Sequence, residues 1–212
     1  MAENVVPEQD QHPLTLYTIG HSNHPFERFA ELLAQYEIAL LVDVRSQPYS
    51  RYATHFNRPE LEYLIERRGI PYLYMGGELG GRPDGDIYYD RESHVLYDKV
   101  AEASFFLKGI ERLIDECSIR RVAIMCSEED PENCHRRLLI GRVLVDRNVE
   151  LLHIRGDGRL VGDTNCRREA PAPTLWDGLF AGNGESQEWK SIQPVLRRKP
   201  QESSSSLFDD ME

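Results

Sequence analysis

The chain has 212 residues, of which 40% are hydrophobic and 9% aromatic, and its formal net charge is -11. This length suffices for one good core, and no apolar run approaches the roughly 20 residues that a bilayer-spanning helix needs. Four cysteines without a tight repeat are not typical of a secreted disulfide scaffold, and residues 1–11 lack the pattern of a signal peptide. The composition therefore predicts a cytoplasmic protein with reduced thiols and no membrane contact, and the negative charge disfavours a nonspecific nucleic-acid coat.

Strand and helix patterns alternate along the chain. Short apolar runs bounded by polar residues predict strands, and apolar residues that recur every three or four positions predict helices. In chain order, the predicted elements are a strand at 14–19, a helix after Pro25, a strand at 38–44, a helix at 59–68, a strand at 70–75, a helix at 97–117, a strand at 122–126, a helix at 132–148 and a strand at 149–154. Because right-handed crossovers are the rule for such units, the pattern predicts an α/β fold with a single, doubly wound, mainly parallel five-stranded sheet and helices on both faces.

Composition divides the chain into four segments. We predict a disordered N-terminus at 1–13, an α/β domain at 14–161, an irregular, partly ordered extension at 162–198 and a disordered acidic tail at 199–212. Within the tail, Leu207 and Phe208 weakly resemble the short peptides with which bacterial DNA-metabolism proteins dock on the sliding clamp. A solvated low-complexity tail is the other interpretation of these residues.

Polar side chains follow the predicted strands at the point where each strand ends. His21 and Ser22 follow the first strand, Arg45 follows the second, and Glu128 comes just after the strand at 122–126. The carboxyl ends of parallel strands meet at one edge of a sheet, where ligands bind in open α/β folds. We therefore expect a site at this edge, although polar residues must follow the strands of such a fold even where no site exists.

Cys126 is the last residue of the strand at 122–126 and precedes the predicted helix at 132–148. A thiol that faces a helix N-terminus, with Arg45 nearby, is expected to have a lowered pKa and to serve as a nucleophile or redox group. This interpretation predicts that iodoacetamide labels Cys126 well before Cys117 or Cys166, with Cys134 also slower than Cys126, and that Arg45→Ala slows the labelling of Cys126 while the fold stays intact. The alternative is a small buried core residue.

Cys134 and His135 form a second pair of candidate residues, early in the predicted helix. Adjacent residues on a helix point about 100° apart, and the spacing Cys-x7-Cys-His is not a familiar zinc pattern. The sequence therefore predicts no metal and no cofactor. His135 is a candidate acid or base and Arg136 a candidate phosphate contact, while a helix-capping or core histidine is the alternative for His135.

Arginine and aromatic residues are concentrated after the second predicted strand. Arg45 is placed to grip a carboxylate or phosphate, or to form an ion pair with Asp43, Glu78 or Glu128. Further along the loop, Arg51 and Tyr52 can contact phosphates and stack on bases. The aromatic residues can equally anchor a long loop.

Three separated motifs resemble the bacterial and archaeal family called domain of unknown function 488. They are Thr18-Ile19-Gly20-His21-Ser22, Asp43-Val44-Arg45-Ser46-Gln47-Pro48, and Cys126-Ser127-Glu128 with Cys134-His135-Arg136. The resemblance covers roughly residues 14–160 and leaves the C-terminal extension outside. It implies an α/β domain and a shared set of polar residues, but it brings no established reaction.

The candidate residues support hypotheses from different functional classes. The first is an enzyme that acts on a small phosphorylated, nucleotide-like or nucleic-acid substrate at the carboxyl edge of the sheet. In it, Cys126, His135 and Glu128 take part in the chemical step, and His21, Ser22, Arg45, Arg51, Tyr52 and Arg136 bind the substrate. The alternatives are a nucleotide or nucleic-acid binding module without turnover, and a thiol-redox or sulfur-transfer protein.

Overall fold

A computed structural model describes residues 13–163 and 189–196, and in this part of the chain six strands form one sheet. The strands are β1 (Leu14–Gly20), β2 (Leu40–Asp43), β3 (Tyr72–Tyr74), β4 (Val122–Cys126), β5 (Val149–Ile154) and β6 (Leu160–Gly162). Their order across the sheet is β3-β2-β4-β1-β5-β6. The first five strands are parallel, and β6 pairs antiparallel with β5.

Helices cover both faces of the sheet. They are α1 (Phe26–Gln35), α2 (Arg58–Glu66), α3 (Tyr97–Ala101), α4 (Ser104–Ile119) and α5 (Arg142–Val145), together with a π-helical segment (Arg136–Gly141) and short 3-10 turns that include Pro131–Asn133. The buried residues of α1 and α2 belong to one core cluster, and those of α3, α4 and α5 belong to the other. In the described residues no helix is long and apolar enough to cross a membrane.

The central strand β4 is buried along its whole length, as its continuous apolar run predicts for a strand that is covered on both faces. Val122 and Ile124 point into the core under α4, and Ala123 and Met125 point into the core under α1 and α2. This alternation follows from the two-residue period of a strand. Cys126 then lies at the carboxyl end of a fully buried strand near the centre of the sheet.

Helix α1 has the spacing that the sequence predicts. Pro25 precedes its first turn, and Phe29, Leu32 and Leu33 are fully buried against the sheet. In α2 the residues Leu61 and Ile65, four positions apart, are likewise buried. The apolar faces of both helices therefore fix their orientation on the same side of β4.

The sheet has a sixth strand that the sequence did not indicate, so the prediction of five strands is wrong. A tight turn, in which the Arg155 N–H donates to the Arg159 carbonyl at 2.9 Å, returns the chain from β5 to β6. Gly158 supplies the positive φ of 94° that this turn requires. With three residues, β6 is too short to have a recognisable alternation, and the predicted domain end at residue 161 falls inside it.

The predicted helix at 97–117 is two helices. Ala103 is extended, with φ -71° and ψ 136°, and separates α3 from α4. Val100 of α3 and Phe106 of α4 are both fully buried in the same core. The apolar spacing therefore continues across the break, and periodicity alone could not reveal it.

The predicted helix at 132–148 also differs from the structure. Its first residues belong to the 3-10 turn Pro131–Asn133, in which the Glu132 N–H donates to the side chain of Asp130. Cys134 is extended, with φ -121° and ψ 138°, and the chain becomes helical only after it. Cys134 and His135 are thus not successive residues of a regular helix.

Part of the predicted extension packs beside the carboxyl edge of the sheet. The Tyr97 N–H donates to the Trp189 carbonyl at 2.8 Å, and the Ser191 N–H donates to the Val95 carbonyl at 2.9 Å. The indole of Trp189 also donates to the Leu138 carbonyl at 2.8 Å. Several predicted segments lie outside the described residues. They are residues 1–12 of the predicted N-terminus at 1–13, the tail at 199–212 with Leu207 and Phe208, and most of the extension, with Cys166.

Gly20→Ala tests the close approach of β1 to the loop after β4. A Cβ at Gly20 would overlap the Glu128 carbonyl oxygen and lie 2.7 Å from the Glu129 Cα. We expect this variant to lose about 1–3 kcal/mol of unfolding free energy, as overpacked sites do. The control is Gly77→Ala, because no atom lies within 4 Å of the added Cβ. Urea unfolding measures both, and equal stabilities would contradict the contact.

Candidate functional site

The order β2-β4-β1 brings three strand ends together at the carboxyl edge. Gly20 is in register with Cys126, and Asp43 is in register with Met125. Hydrogen bonds continue beyond the strands, since the His21 N–H donates to the Cys126 carbonyl at 3.0 Å and the Ser22 N–H donates to the Ser127 carbonyl at 2.9 Å. The residues that follow β1, β2 and β4 therefore lie side by side.

A cavity of about 710 Å³ opens at this edge. Six of the residues predicted for the site line it, namely His21, Ser22, Arg45, Cys126, Glu128 and His135. Arg51, Tyr52 and Arg136 are not among the described residues that line the cavity. The carboxyl edge thus has a concave site of the size that small ligands use, formed by part of the predicted set.

Two thiols, an imidazole and a carboxylate meet in the wall of the cavity. Glu128 Oε2 accepts hydrogen bonds from Cys126 Sγ at 2.9 Å and from Cys134 Sγ at 3.2 Å. His135 Nδ1 lies 3.7 Å from Cys126 Sγ and 3.9 Å from Cys134 Sγ. Both cysteines are buried, whereas Glu128 is exposed on the cavity side. We call these four side chains the thiol cluster.

The ring of His135 is fixed from two sides. Its Nε2 lies 3.1 Å from the Val44 carbonyl oxygen. A carbonyl can only accept a hydrogen bond, so Nε2 carries the proton. In the neutral ring, Nδ1 therefore directs a lone pair at the thiols. A Cβ at Gly81 would lie 2.8 Å from the ring Cγ, so a glycine is needed there. Burial lowers the pKa of His135, but the hydrogen bond to Cys134 and the charges of Cys134 and Glu128 outweigh it and raise that pKa.

The surroundings of the two thiols shift their pKa values in opposite directions. The hydrogen bond with Cys134, burial and the Glu128 charge raise the pKa of Cys126. Burial raises the pKa of Cys134, but the hydrogen bond from Cys126 and the positive charge of Arg136 outweigh it and hold that pKa well below its usual value. The surroundings of Cys126 therefore favour its neutral thiol, whereas the sequence predicts a lowered pKa. No regular helix begins at its thiol, because a turn and the extended Cys134 follow it.

Cys134 and His135 also converge, contrary to the argument that adjacent helical residues point apart. Cys126 Sγ, Cys134 Sγ and His135 Nδ1 all lie within 4.8 Å of one another and could hold a metal ion. A second group of the same size consists of Asp90, Glu92 and His94. The premise that made a metal improbable at Cys134 and His135, a regular helix, is absent at these residues.

Arg45 forms a buried ion pair with Asp43. Its Nη2 lies 2.6 Å from Asp43 Oδ2, and its Nε donates to Asp43 Oδ1 at 2.9 Å. Nη2 also donates to the Phe56 carbonyl at 2.8 Å, and Nη1 donates to His21 Nε2 at 3.1 Å. Four of the five N–H groups of the guanidinium thus bind protein groups, and of the roles considered for Arg45 the structure shows the ion pair with Asp43.

His21 is a neutral acceptor for Arg45. Its Nδ1 donates to the Ser22 carbonyl at 2.8 Å, and its ring stacks on Phe56 with 4.3 Å between the ring centroids. Burial and the charge of Arg45 lower the pKa of His21 to about 4. Ser22, with φ 44°, is one of the few non-glycine residues of left-handed conformation in the described chain. These two residues shape the cavity wall without bringing a positive charge to it.

The other two predicted arginines do not line the cavity. Arg136 is buried and donates to the Glu128 carbonyl, to the Glu129 carbonyl at 2.7 Å and to Thr18 Oγ1 at 3.4 Å. Arg51 lies in the exposed part of its loop, with its guanidinium 5.4 Å from the ring centroid of Tyr52. In the described structure Arg136 therefore binds backbone carbonyls of the loop after β4. Arg51 and Tyr52 form an exposed surface outside the cavity lining.

Several lining residues were not in the predicted site. Arg82 lines the cavity. Its backbone N–H donates to Ser46 Oγ at 2.9 Å, and its Nη1 donates to Gln47 Oε1 at 3.3 Å. The glycine-rich loop after the third strand was a signal for it, since Arg82 is the first charged residue after that loop's last pair of glycines. Residues 191–195 also line the cavity, and nothing in their composition indicated it.

Arg45→Ala tests whether the ion pair supports the fold. The variant would leave Asp43 buried without its partner, so we expect a loss of about 3–5 kcal/mol of unfolding free energy. This replaces the expectation that the variant leaves the fold intact. Arg51→Ala is the control, because its exposed side chain should change stability by less than about 0.5 kcal/mol. Similar urea midpoints for the two variants would show that the pair is dispensable.

The pKa of His21 predicts a loss of stability in acid. The pKa is about 4 in the folded chain against an ordinary value of 6.5. Between these values the unfolded chain binds a proton that the folded chain does not, so the contribution of His21 is complete above pH 6.5 and declines as the pH falls towards 4. The contribution of His21 to the unfolding free energy amounts to about 3 kcal/mol, at about 1.4 kcal/mol for each pKa unit.

The variant His21→Asn tests this contribution, because Asn keeps a donor for the Ser22 carbonyl but does not titrate. The unfolding free energy of the variant should therefore fall less between pH 6.5 and 4 than that of the wild type. Parallel pH profiles would contradict the assignment.

Comparison with known proteins agrees with two of the three motifs, those that begin at Asp43 and at Cys126, while Thr18-Ile19-Gly20-His21-Ser22 lies before the matched residues. A search of curated proteins and a search of solved structures each found no match. A family model described as domain of unknown function DUF488 matches residues 25–149. The match covers more than half of the 212 residues and contains the β2 end and the thiol cluster. The chain therefore belongs to the DUF488 family.

Proposed function

We propose that this protein is an enzyme whose reaction takes place in the cavity at the carboxyl edge of the sheet. The observation that carries the proposal is the convergence of Cys126, Cys134, His135 and Glu128 in the cavity wall. Thiols, an imidazole and a carboxylate are the groups that supply nucleophilic, acid–base and metal-assisted catalysis. The shifted pKa values of Cys126, Cys134 and His135 support the same conclusion, because such shifts concentrate at functional sites.

The chemistry of the cavity lining favours a nucleotide-like substrate with few phosphates. Many of the lining side chains are neutral hydrogen-bonding groups, and they include Asn23, Ser46, Gln47, Ser50, Asn133 and Gln193. Such groups suit the base or sugar of a nucleoside. The volume of about 710 Å³ lies within the range of small-molecule sites.

The charges at the cavity limit how anionic the substrate can be. Among the described residues that line it, the arginines are Arg45 and Arg82, and Arg45 is already paired with Asp43. Glu128 adds a negative charge to the wall. Arg82 is therefore the guanidinium that is placed to bind a single phosphate. A polyphosphate or a long nucleic acid fits this arrangement less well than a nucleoside monophosphate.

Calorimetric titration with adenosine monophosphate tests this assignment. We expect binding that Arg82→Ala weakens by about 10–100-fold, since a hydrogen bond to a charged group contributes about 1.5–3 kcal/mol. Arg51→Ala is the matched control, because its side chain lies outside the cavity and should leave affinity unchanged. Adenosine and inorganic phosphate, titrated separately, show which half of the ligand is recognised.

Other results would contradict parts of the proposal. A larger loss for Arg51→Ala than for Arg82→Ala would move recognition to the Arg51–Tyr52 surface, as the nucleic-acid binding hypothesis requires. Binding without any product in mass spectra after long incubation with a panel of nucleotides would favour the binding module without turnover. No change in affinity for any ligand on mutation of Arg82 would remove the assigned phosphate contact.

A further inference from the structure

We infer that Cys126, Cys134 and His135 form a binding site for a divalent cation of the zinc class, with its open coordination position towards the cavity. The inference goes beyond the proposed function, because metal binding can be measured without any substrate. Three donor atoms from described residues already lie within 4.8 Å of one another. The site therefore needs little rearrangement to bind an ion.

The sulfur–nitrogen distances are close to those of a tetrahedral site. Zinc binds thiolate sulfur at about 2.3 Å and imidazole nitrogen at about 2.0–2.1 Å, which places sulfur and nitrogen about 3.6 Å apart at the tetrahedral angle. Here His135 Nδ1 is 3.7 Å from Cys126 Sγ and 3.9 Å from Cys134 Sγ. Both sulfur–nitrogen distances therefore lie within a few tenths of an ångström of the tetrahedral value.

The types of donor select the cation. Two sulfurs and one imidazole nitrogen suit zinc, whereas calcium and magnesium prefer oxygen ligands. Two thiolates neutralise a divalent charge in a buried position, where a bare cation would be costly. Binding displaces the thiol protons to solution as the metal–sulfur bonds form.

The surroundings of His135 are those of a metal-binding imidazole. Its Nε2 donates to the Val44 carbonyl at 3.1 Å and so directs the Nδ1 lone pair at the sulfurs. Ligating histidines usually donate their other ring N–H in this way, which fixes the tautomer and the ring orientation. Gly81 leaves room for the ring in this position.

The backbone holds both cysteines in place before any ion binds. Cys126 ends the central strand, and the Cys134 N–H donates to the Pro131 carbonyl at 3.1 Å. Arg136 holds the loop between them through the Glu128 and Glu129 carbonyls. A site that is formed in advance loses less conformational entropy on binding.

The fourth position of the site faces the cavity. Glu128 is exposed there, with Oε2 within hydrogen-bonding distance of both sulfurs. Zinc sites with three protein ligands and one open position are typical of catalytic centres, since water or substrate occupies the fourth position. The cavity thus brings a substrate to the open side of the ion.

The second group of possible ligands lacks these properties. Asp90 already accepts a hydrogen bond from Lys190 at 2.9 Å, and Glu92 is exposed. A cation at Asp90, Glu92 and His94 would have to compete with the lysine ammonium. We therefore assign the metal to the cysteine-containing group.

Metal content and cobalt spectra of the full chain test the inference. Protein reduced with a phosphine is loaded with zinc and desalted, and its metal is measured by mass spectrometry. We expect about one zinc per chain in the wild type and in Cys117→Ser, a free cysteine of α4 outside the cluster. Cys126→Ser, Cys134→Ser and His135→Ala should each lower zinc affinity by at least about 100-fold, more than the loss of an outer-sphere partner causes.

Cobalt reports the geometry independently of how well the variants fold. The wild type with Co²⁺ should show intense visible bands of a tetrahedral ion and near-ultraviolet thiolate-to-cobalt bands. Glu128→Gln should still hold one zinc, because three protein ligands remain. A loss of zinc in Glu128→Gln as complete as in Cys126→Ser would overturn the open fourth position.

Two results would overturn the site itself. In the first, the wild type retains no zinc and shows only the weak bands of octahedral cobalt. In the second, Cys126→Ser and Cys117→Ser contain equal amounts of zinc. Adenosine monophosphate binding measured on the metal-free wild type keeps this test apart from that of the proposed function. A wild type that binds zinc but no nucleotide would count against the proposed function alone. A wild type that binds the nucleotide but no zinc would count against the metal site alone.

Discussion

The buried guanidinium of Arg136 is the interaction on which the carboxyl edge depends. It connects the π-helical segment to the Glu128 and Glu129 carbonyls and to Thr18 of β1. Thr18 Oγ1 is in turn 2.7 Å from His153 Nδ1 of β5. A buried charge is tolerated only where its donors are satisfied. The loop after β4 must therefore keep its carbonyls directed at Arg136, which places Cys134 and His135 over the end of β4.

A second buried charge organises the opposite side of the cavity. Arg45 joins Asp43 of β2, the Phe56 carbonyl of the following loop and the neutral ring of His21 after β1. Tyr72 of β3 adds a hydrogen bond to Asp43 Oδ2 at 2.6 Å. Four segments of the chain thus share one ion pair. Val44, between Asp43 and Arg45, also accepts a hydrogen bond from His135 Nε2 at 3.1 Å. The end of β2 thus helps to position the thiol cluster, and a catalytic or metal site requires such positioning.

The motifs that identify the family have two different physical tasks. Asp43, Arg45, His21 and Arg136 stabilise the edge and have their charges or hydrogen-bonding groups occupied by the protein. Cys126, Cys134, His135 and Glu128 direct theirs at one another and at the cavity. Because a buried ion pair and a reactive group can both be polar residues after a strand, sequence position does not distinguish the two tasks. The hydrogen-bond partners in the structure show which task each residue has.

The sequence by itself determined the alternation of strands and helices, the apolar faces of α1 and α2, the buried β4 and the family of the chain. These depend on short-range periodicity and on motifs that can be read directly. Only the tertiary structure decided the place of β4 between β1 and β2, the antiparallel β6 and the break at Ala103. It also decided that Cys134 is extended and that its sulfur lies beside Cys126 and His135. These features depend on contacts between residues far apart in the chain, and local propensity carries no information about such contacts.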